Sequence, residues 1–357
     1  MSLDTSTPIS EIVIDGVSIP LIGSDYEQVE TTVKSTGEEQ VILPEAGQLF
    51  SKITVEAVEV PPFEPKFMQL NNGTLTEVLE EDLKGATALR GRAFSGQSHL
   101  SKAHLPDTIT SIGDYAFYNC TNLVDVKLSN NITSLPSNCF DTCRTLQTLV
   151  IPEGVTSLSY GTFFRCNALT NLYVPTTLKT LNSNPWENDA KSKNIYIKDL
   201  SAFCSLDSTT TQYAGIGFSL KEGLSKLFLN EEHITNLVIP DEIVTIARVC
   251  FRCFDFVTAD LKNVYTIRNN AFWECKVLES VVIGENIGSI ENQAFATCSK
   301  LTSMTINKVC SSVSDVPTLA NVNAIPTSCI IYVPDADTRD FYKQKTNWSS
   351  YTIEVKS

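Results

Sequence analysis

A phenylalanine returns along this chain on a fixed beat. Phe94, Phe117, Phe140 and Phe163 are each 23 residues apart, and after a gap Phe251, Phe272 and Phe295 resume with spacings of 21 and 23. A cysteine follows on the same beat at Cys120, Cys143 and Cys166, then at Cys253, Cys275 and Cys298. A unit this short cannot bury its own apolar side. Each must cover the next, so the chain is expected to be a one-dimensional stack of turns around a continuous core.

The unit from Ile151-Pro152 to Val174 shows how. Val155, Leu158, Phe163, Cys166 and Leu169 form the inward series, and Leu172 and Val174 close it with the alternation of a strand. Leu146, Leu149 and Ile151, and before them Leu123, Val126 and Leu128, repeat that ending. Parallel stacking sets equivalent residues about 4.8 Å apart, which turns the Leu, Phe and Cys positions into ladders. Asp107-Thr108, Pro152-Glu153-Gly154, Pro240-Asp241 and Gly284-Glu285 supply the turns between.

The recurring I-P-x-x-(I/V)-T-x-(I/L)-x-x-x-(A/C/T)-F-x-x-C-x-x-L resembles the BspA-type leucine-rich repeats of bacterial surface proteins over residues 85–306. Departures are Cys139, Thr162 and Cys250 in place of the small residue before Phe, and no Gly after Leu158 or Ile246. Residues 199–204, 226–230 and 234–240 resemble an insertion of that family, placed here at 182–230. Residues 329–335, with Phe341-Tyr342 and Asn347-Trp348-Ser349, resemble its closing unit. The resemblance implies an α+β leucine-rich-repeat solenoid with parallel strands on the concave face, and a role in adhesion or interaction.

Residues 1–62 fall outside the beat and read as a small β module. Residues 11–20 have a strand, an Asp-Gly turn and a second strand, and residues 52–60 alternate as another strand. Pro61, Pro62 and Pro65 make a stiff linker. Residues 37–55 are similar to short modules of prophage tail and tail-fibre proteins, which implies attachment to a virion. Residues 63–84 form a linker and cap, with Leu79, Leu83 and Leu89 shielding the first turn. Residues 307–357 close the other end, with a helix over 335–345, Asp337 as its N-cap, and Phe341, Tyr342 and Trp348 over the last repeat.

A net charge of −14 disfavours nucleic acid and anionic membrane surfaces as partners. No apolar run reaches the length of about 18 residues needed to span a bilayer. Residues 1–20 lack the basic and apolar regions of a signal peptide, so export is expected by another route or with a leader not in this chain. Of the 11 cysteines, six sit on the ladder and Cys139 and Cys250 precede a Phe, so all eight are expected as buried, reduced core residues. The C-x-x-C at Cys250 and Cys253 is then a product of repeat register rather than a metal or redox site, and no cofactor is expected.

Catalytic constellations are missing from the sequence. His99, His104 and His233 fall at variable positions with no fixed partner, and no nucleophile elbow, phosphate loop or zinc spacing occurs. An enzyme would need a pair of carboxylates on the concave face; the expectation is that the protein is not one.

One outward strand position runs Lys127, Val150, Tyr173, Tyr196, Phe228, Val238, Asp260, Val282, Thr305, Tyr332, and seven of these ten are aromatic or aliphatic. Sheet propensity is the plain explanation. The functional one is an apolar recognition strip anchored by Tyr173 and Tyr196, continued by Phe228 and Val238, with Asn171 and Asn236 bonding a glycan or peptide. The leading expectation is a recognition or adhesion protein, extracellular or on a cell surface, binding a protein or glycan. The alternative is a prophage receptor-binding protein on the virion.

Overall fold

The repeated turns of the stack each carry two short extended segments, so the parallel strands fall into two rows, each divided into successive sheets. We describe a computed structural model that covers residues 75–357, apart from 183, 187–192 and 209–222, and the backbone strands within residues 2–57. The solenoid has about 11 turns. Its wider sheet pairs Thr148–Val150, Asn171–Tyr173, Asn194–Ile197 and Lys226–Leu229 in register. A second run joins Asn236–Val238, Thr258–Asp260, Ser280–Ile283, Ser303–Ile306, Ile330–Val333 and Thr352–Val355. The narrower sheet is built of two-residue strands such as Ser134–Leu135, Ser157–Leu158 and Thr180–Leu181. These are the T-x-(I/L) positions of the motif, too short to show an alternation of their own.

The corner between the sheets is a tight turn in place of a helix. Tyr118 and Cys120 N–H groups donate to the carbonyls three residues back, of Tyr115 and Phe117. Tyr115 and Asn119, on either side of Phe117, have φ of +61° and +59°. The same pair recurs at Asn138 and Thr142, Asn270 and Glu274, and Gln293 and Thr297. This geometry lets Tyr115, Phe117 and Asn119 all donate to the next turn, onto Ser137, Cys139 and Asp141. The α-helices among the described residues are Leu200–Cys204 and Ala336–Gln344, so the helical share of the fold is small.

Phe94, Phe117, Phe140 and Phe163 are buried and stacked, with ring centroids 5.3, 5.3 and 6.3 Å apart. The column does not stop there. Trp186, another 23 residues on, stacks on Phe163 at 4.8 Å. Phe251, Phe272 and Phe295 form a second column at 5.2 and 5.0 Å. Offset stacks of this kind add to the area each ring removes from water.

The last turn is closed by the helix Ala336–Gln344, which crosses from Ile330–Val333 to the final parallel strand Thr352–Val355. Its N-cap is Asp335, not Asp337. The chain is still extended at Asp335 (φ −150°), and its carboxylate accepts from Thr338 N at 2.7 Å, while Asp337 lies in the first turn. Tyr342 and Trp348 are fully buried in edge-on contact, and Phe341 is half-buried.

Residues 1–62, grouped with 85–87, form a separate unit. Glu11–Ile14 and Val17–Pro20 pair as an antiparallel hairpin whose turn lies outside the described residues. Gln48–Ala57 pairs antiparallel with Ser2–Asp4 and parallel with Glu27–Ser35, a strand not expected from the sequence. The proline linker and residues 58–74 lie outside the described residues.

Candidate functional site

The register of the wider sheet puts Tyr173, Tyr196 and Phe228 side by side on its outward face. Tyr173 stacks on Tyr196 at 4.4 Å with planes 10° apart, and Tyr196 on Phe228 at 4.7 Å and 19°. Val150 continues the column on the other side of Tyr173 and is 55 % exposed. Beyond Phe228 the chain doubles back. Asn230 and Glu231, both at positive φ, turn Lys226–Leu229 into the antiparallel strand Glu232–His233. The His233 ring then lies 5.2 Å from Phe228, with Nε2 3.0 Å from an Asp255 carboxylate oxygen. That pairing of His233 was not visible in the sequence, because its partner comes from the next turn.

Rings stacked along the column cover one another's faces, so the surface they offer is made of edges and the Tyr173 and Tyr196 hydroxyls. Burial raises the Tyr173 phenol pKa above its ordinary value, and the Glu231 carboxylate and Tyr196 add to the effect. Asn171 lies beside the stack with its amide engaged: Nδ2 donates to Thr148 Oγ1 at 3.3 Å, and Oδ1 accepts from Asn194 Nδ2 at 2.9 Å. One N–H and one lone pair of that amide remain for a ligand.

Asn236 and Val238 do not join this group. Their strand opens the second run of the sheet, on the far side of the hairpin, and Asn236 Oδ1 accepts from Thr258 Oγ1 at 2.9 Å. The outward column there, Val238, Asp260, Val282, Thr305 and Tyr332, mixes polar and apolar residues.

The cysteine ladder has a chemical reason. Cys120, Cys143, Cys166, Cys275 and Cys298 each donate their thiol to the carbonyl of the Phe one turn earlier, at 2.9–3.1 Å. Every cysteine is buried and free of disulfides. Burial pushes the Cys120 thiol from its ordinary 9.0 up to about 12 and the Cys143 thiol well up.

Cys253, placed on this ladder by its spacing, is not a rung. It lies two residues after Phe251 instead of three, at φ +65°, and its thiol donates to Glu274 Oε2 at 3.1 Å. The rung is Phe254, fully buried against Phe203 and Phe256. Counting from Phe251 would have shown it. Cys250 turns the other way, to the Phe203 carbonyl at 3.2 Å, so the two thiols of the C-x-x-C serve different partners.

Among the described residues, no three His, Cys, Asp or Glu side chains are grouped to hold a metal ion. None of the described helices is long and apolar enough to cross a membrane.

Comparison with known proteins gives the relationship. No curated protein matches the chain. A leucine-rich-repeat protein from Bacteroides ovatus is 15% identical with TM-score 0.42, covering 99% of this chain and 100% of that one. A leucine-rich cell surface protein from Faecalibacterium prausnitzii is 17% identical (TM-score 0.39; 99% and 96% covered), and the pneumococcal vaccine antigen PcpA 13% (0.39; 98% and 99%). Nothing found supports the likeness of residues 37–55 to prophage tail modules. The model of the BspA type leucine-rich repeat region matches in 6 copies over residues 87–208 and 221–328, more than half of the chain, and this protein belongs to that family.

Proposed function

We propose that this protein is a non-enzymatic recognition module, displayed outside the cell, that grips a protein partner along the edge of the Val150–Tyr173–Tyr196–Phe228 column. The observation that supports this reading is where the aromatics fall. Sheet propensity alone would scatter rings over the whole column, yet three of its four rings fall on adjacent strands and stack, and Tyr332 alone lies apart, beyond Val238, Asp260, Val282 and Thr305. Three consecutive strands hold three stacked rings, and the hairpin adds His233 to their end. A pre-stacked set of rings loses little rotamer freedom on binding, and Tyr is among the residues that most often dominate interfaces. Because the faces are already covered, a partner with apolar side chains and carbonyl acceptors fits these edges better than a sugar needing a ring face.

The test is binding to an array of purified extracellular matrix proteins and receptor ectodomains. Wild type should bind at least one, Tyr173→Ala with Tyr196→Ala should weaken that binding tenfold or more, and Thr305→Ala should leave it unchanged. Undiminished binding by the double variant would sink the reading.

A further inference from the structure

A second aromatic surface lies on the narrower sheet, built on the opposite principle. Val244, Tyr265 and Gly288 are the residues just before the paired strands Thr245–Ile246, Thr266–Ile267 and Ser289–Ile290. A Cβ placed on Gly288 would stand 2.2 Å from Tyr265 Cζ and 2.6 Å from each Cε. Equal distances to both Cε atoms, with Cζ nearest, put that point directly over the face of the ring. The Tyr265 ring therefore lies flat on the backbone of the next turn, in a seat only glycine leaves open. Its other face is turned outward, and the residue is 58 % exposed.

This ring borders an open groove of ≈ 660 Å³ shared with Asp241, Val244, Thr245, Asn263 and Asn286. Asn263 is oriented by donating Nδ2 to the Asp241 carbonyl at 3.1 Å, and Asn286 Nδ2 stands 3.5 Å from Asn263 Oδ1. Glu242, also on the lining, is held by the Ser201 hydroxyl. The rim thus presents carboxylate acceptors together with amides that both donate and accept.

From this geometry we propose that the groove around Tyr265 binds a neutral glycan, with the C–H face of a pyranose on the ring and its hydroxyls on Asp241, Asn263 and Asn286. A ring face with amides and a carboxylate at its edge matches a molecule having one apolar face and a girdle of hydroxyls. No lysine or arginine lines the groove, and Asp241 and Glu242 repel anionic ligands. A cationic peptide would use the carboxylates but leave the amide donors idle, and only one ring is present to enclose its charge. The proposal is independent of the Tyr173–Tyr196 column, which lies on the other sheet.

Affinity electrophoresis of the full chain through gels containing mixed-linkage β-glucan, galactomannan or α-mannan tests it, with calorimetric titration of an oligosaccharide cut from any polymer that retards it. At least one polymer should retard wild type. Tyr265→Ala should weaken that binding at least tenfold with its melting temperature within a few degrees, Tyr265→Phe should retain it, and Tyr173→Ala with Tyr196→Ala should not affect it. Gly288→Ala, which lifts the ring from its seat, should weaken it as well. Mobility unaffected by all three polymers, retardation that survives Tyr265→Ala, or a hexalysine peptide as the only probe whose binding Tyr265→Ala removes would each overturn the proposal.

Discussion

The regular turns between Phe94 and Leu181 and the interrupted segment from Trp186 to Phe256 solve one packing problem with different residues. In the regular turns each task passes to the residue 23 positions on: Phe stacks on Phe, and Cys donates to the Phe carbonyl one turn back. In the interruption Trp186 takes the Phe place and Phe254 the Cys place. Phe203 arrives on a five-residue helix capped by Asp199. Buried Lys193 lays its ammonium 5.0 Å over Trp186 and donates to the Leu169 carbonyl at 2.5 Å. What the stack preserves is apolar burial at each position: the ring of Phe254 fills the rung without the thiol donor, and Cys250 instead donates to the Phe203 carbonyl. The outward ring column starts at Tyr173 in the last regular turns and runs into the interruption, where the His233 hairpin ends it.

The largest effect expected is on the ring ladder. Phe117→Ala removes a ring held between two others at 5.3 Å and should cost about 3–5 kcal/mol in chemical denaturation. Phe272→Ala should match it. Phe203→Ala should fall toward about 2–3 kcal/mol, because its ring neighbours stand farther off, at 5.9 and 6.1 Å, and a short helix can close into the space. Thr305→Ala, half-buried on the outward face, should stay within about 0.5 kcal/mol. Equal losses at Phe117 and Phe203 would mean that the regular stack is no more tightly packed than its interruption.

Alkaline unfolding probes the thiols of the regular turns. Cys120 titrates near 12 when folded and near 9.0 when free, so the unfolded chain gives up its proton first as pH rises. The stabilisation is complete below pH 9 and is lost between 9 and 12, by about 1 kcal/mol per pH unit for each such thiol. Cys120→Ala should flatten that slope. Cys120, Cys143 and Cys166 should also resist thiol reagents in the native protein and all react in denaturant. A slope indifferent to Cys120→Ala would remove burial of the thiol as its cause.

How far this was legible follows from sequence separation. The ladder could be read because its contacts repeat at one interval, and the partner of Phe117 is found by adding 23. Trp186 was equally readable and was hidden only by a change of residue type. Cys253 was misread because the composition pattern outlived the register. The stacking of Tyr173, Tyr196 and Phe228 followed from strand register, but the His233–Asp255 pair did not, because the hairpin at Asn230–Glu231 takes His233 out of the repeat register before it meets Asp255 of the next turn. That Tyr265 meets Gly288 also follows from adding 23, but the way the ring lies flat across the next turn does not.

On the outward column, Tyr173→Ala with Tyr196→Ala gives up two stacked contacts, Tyr173–Tyr196 and Tyr196–Phe228. At about 0.5–1.5 kcal/mol for each pair, the double variant should lose about 1–3 kcal/mol. Tyr173→Phe with Tyr196→Phe should keep the stack and lose only the hydroxyls. An unchanged denaturation midpoint in the alanine variant would mean that the rings do not support one another.

The smallest effect concerns the corner itself. Thr297 holds φ of +60°, where a β-branched residue is strained, and its hydroxyl donates only to the neighbouring Ala296 carbonyl. Asparagine tolerates this conformation and already fills the equivalent place at Asn119. Thr297→Asn should therefore raise stability by about 0.5–1 kcal/mol. Thr297→Gly should gain less, since glycine also widens the unfolded ensemble. Cys253 occupies the same left-handed position in the interruption, but there the thiol bonds Glu274, which also pairs with buried Arg252 at 3.4 Å. Cys253→Asn should bring no gain, because the relief of strain is offset by the loss of that bond. If Cys253→Asn stabilises as much as Thr297→Asn, the Cys253–Glu274 contact contributes nothing, and the interruption differs from the regular turns in residue type alone.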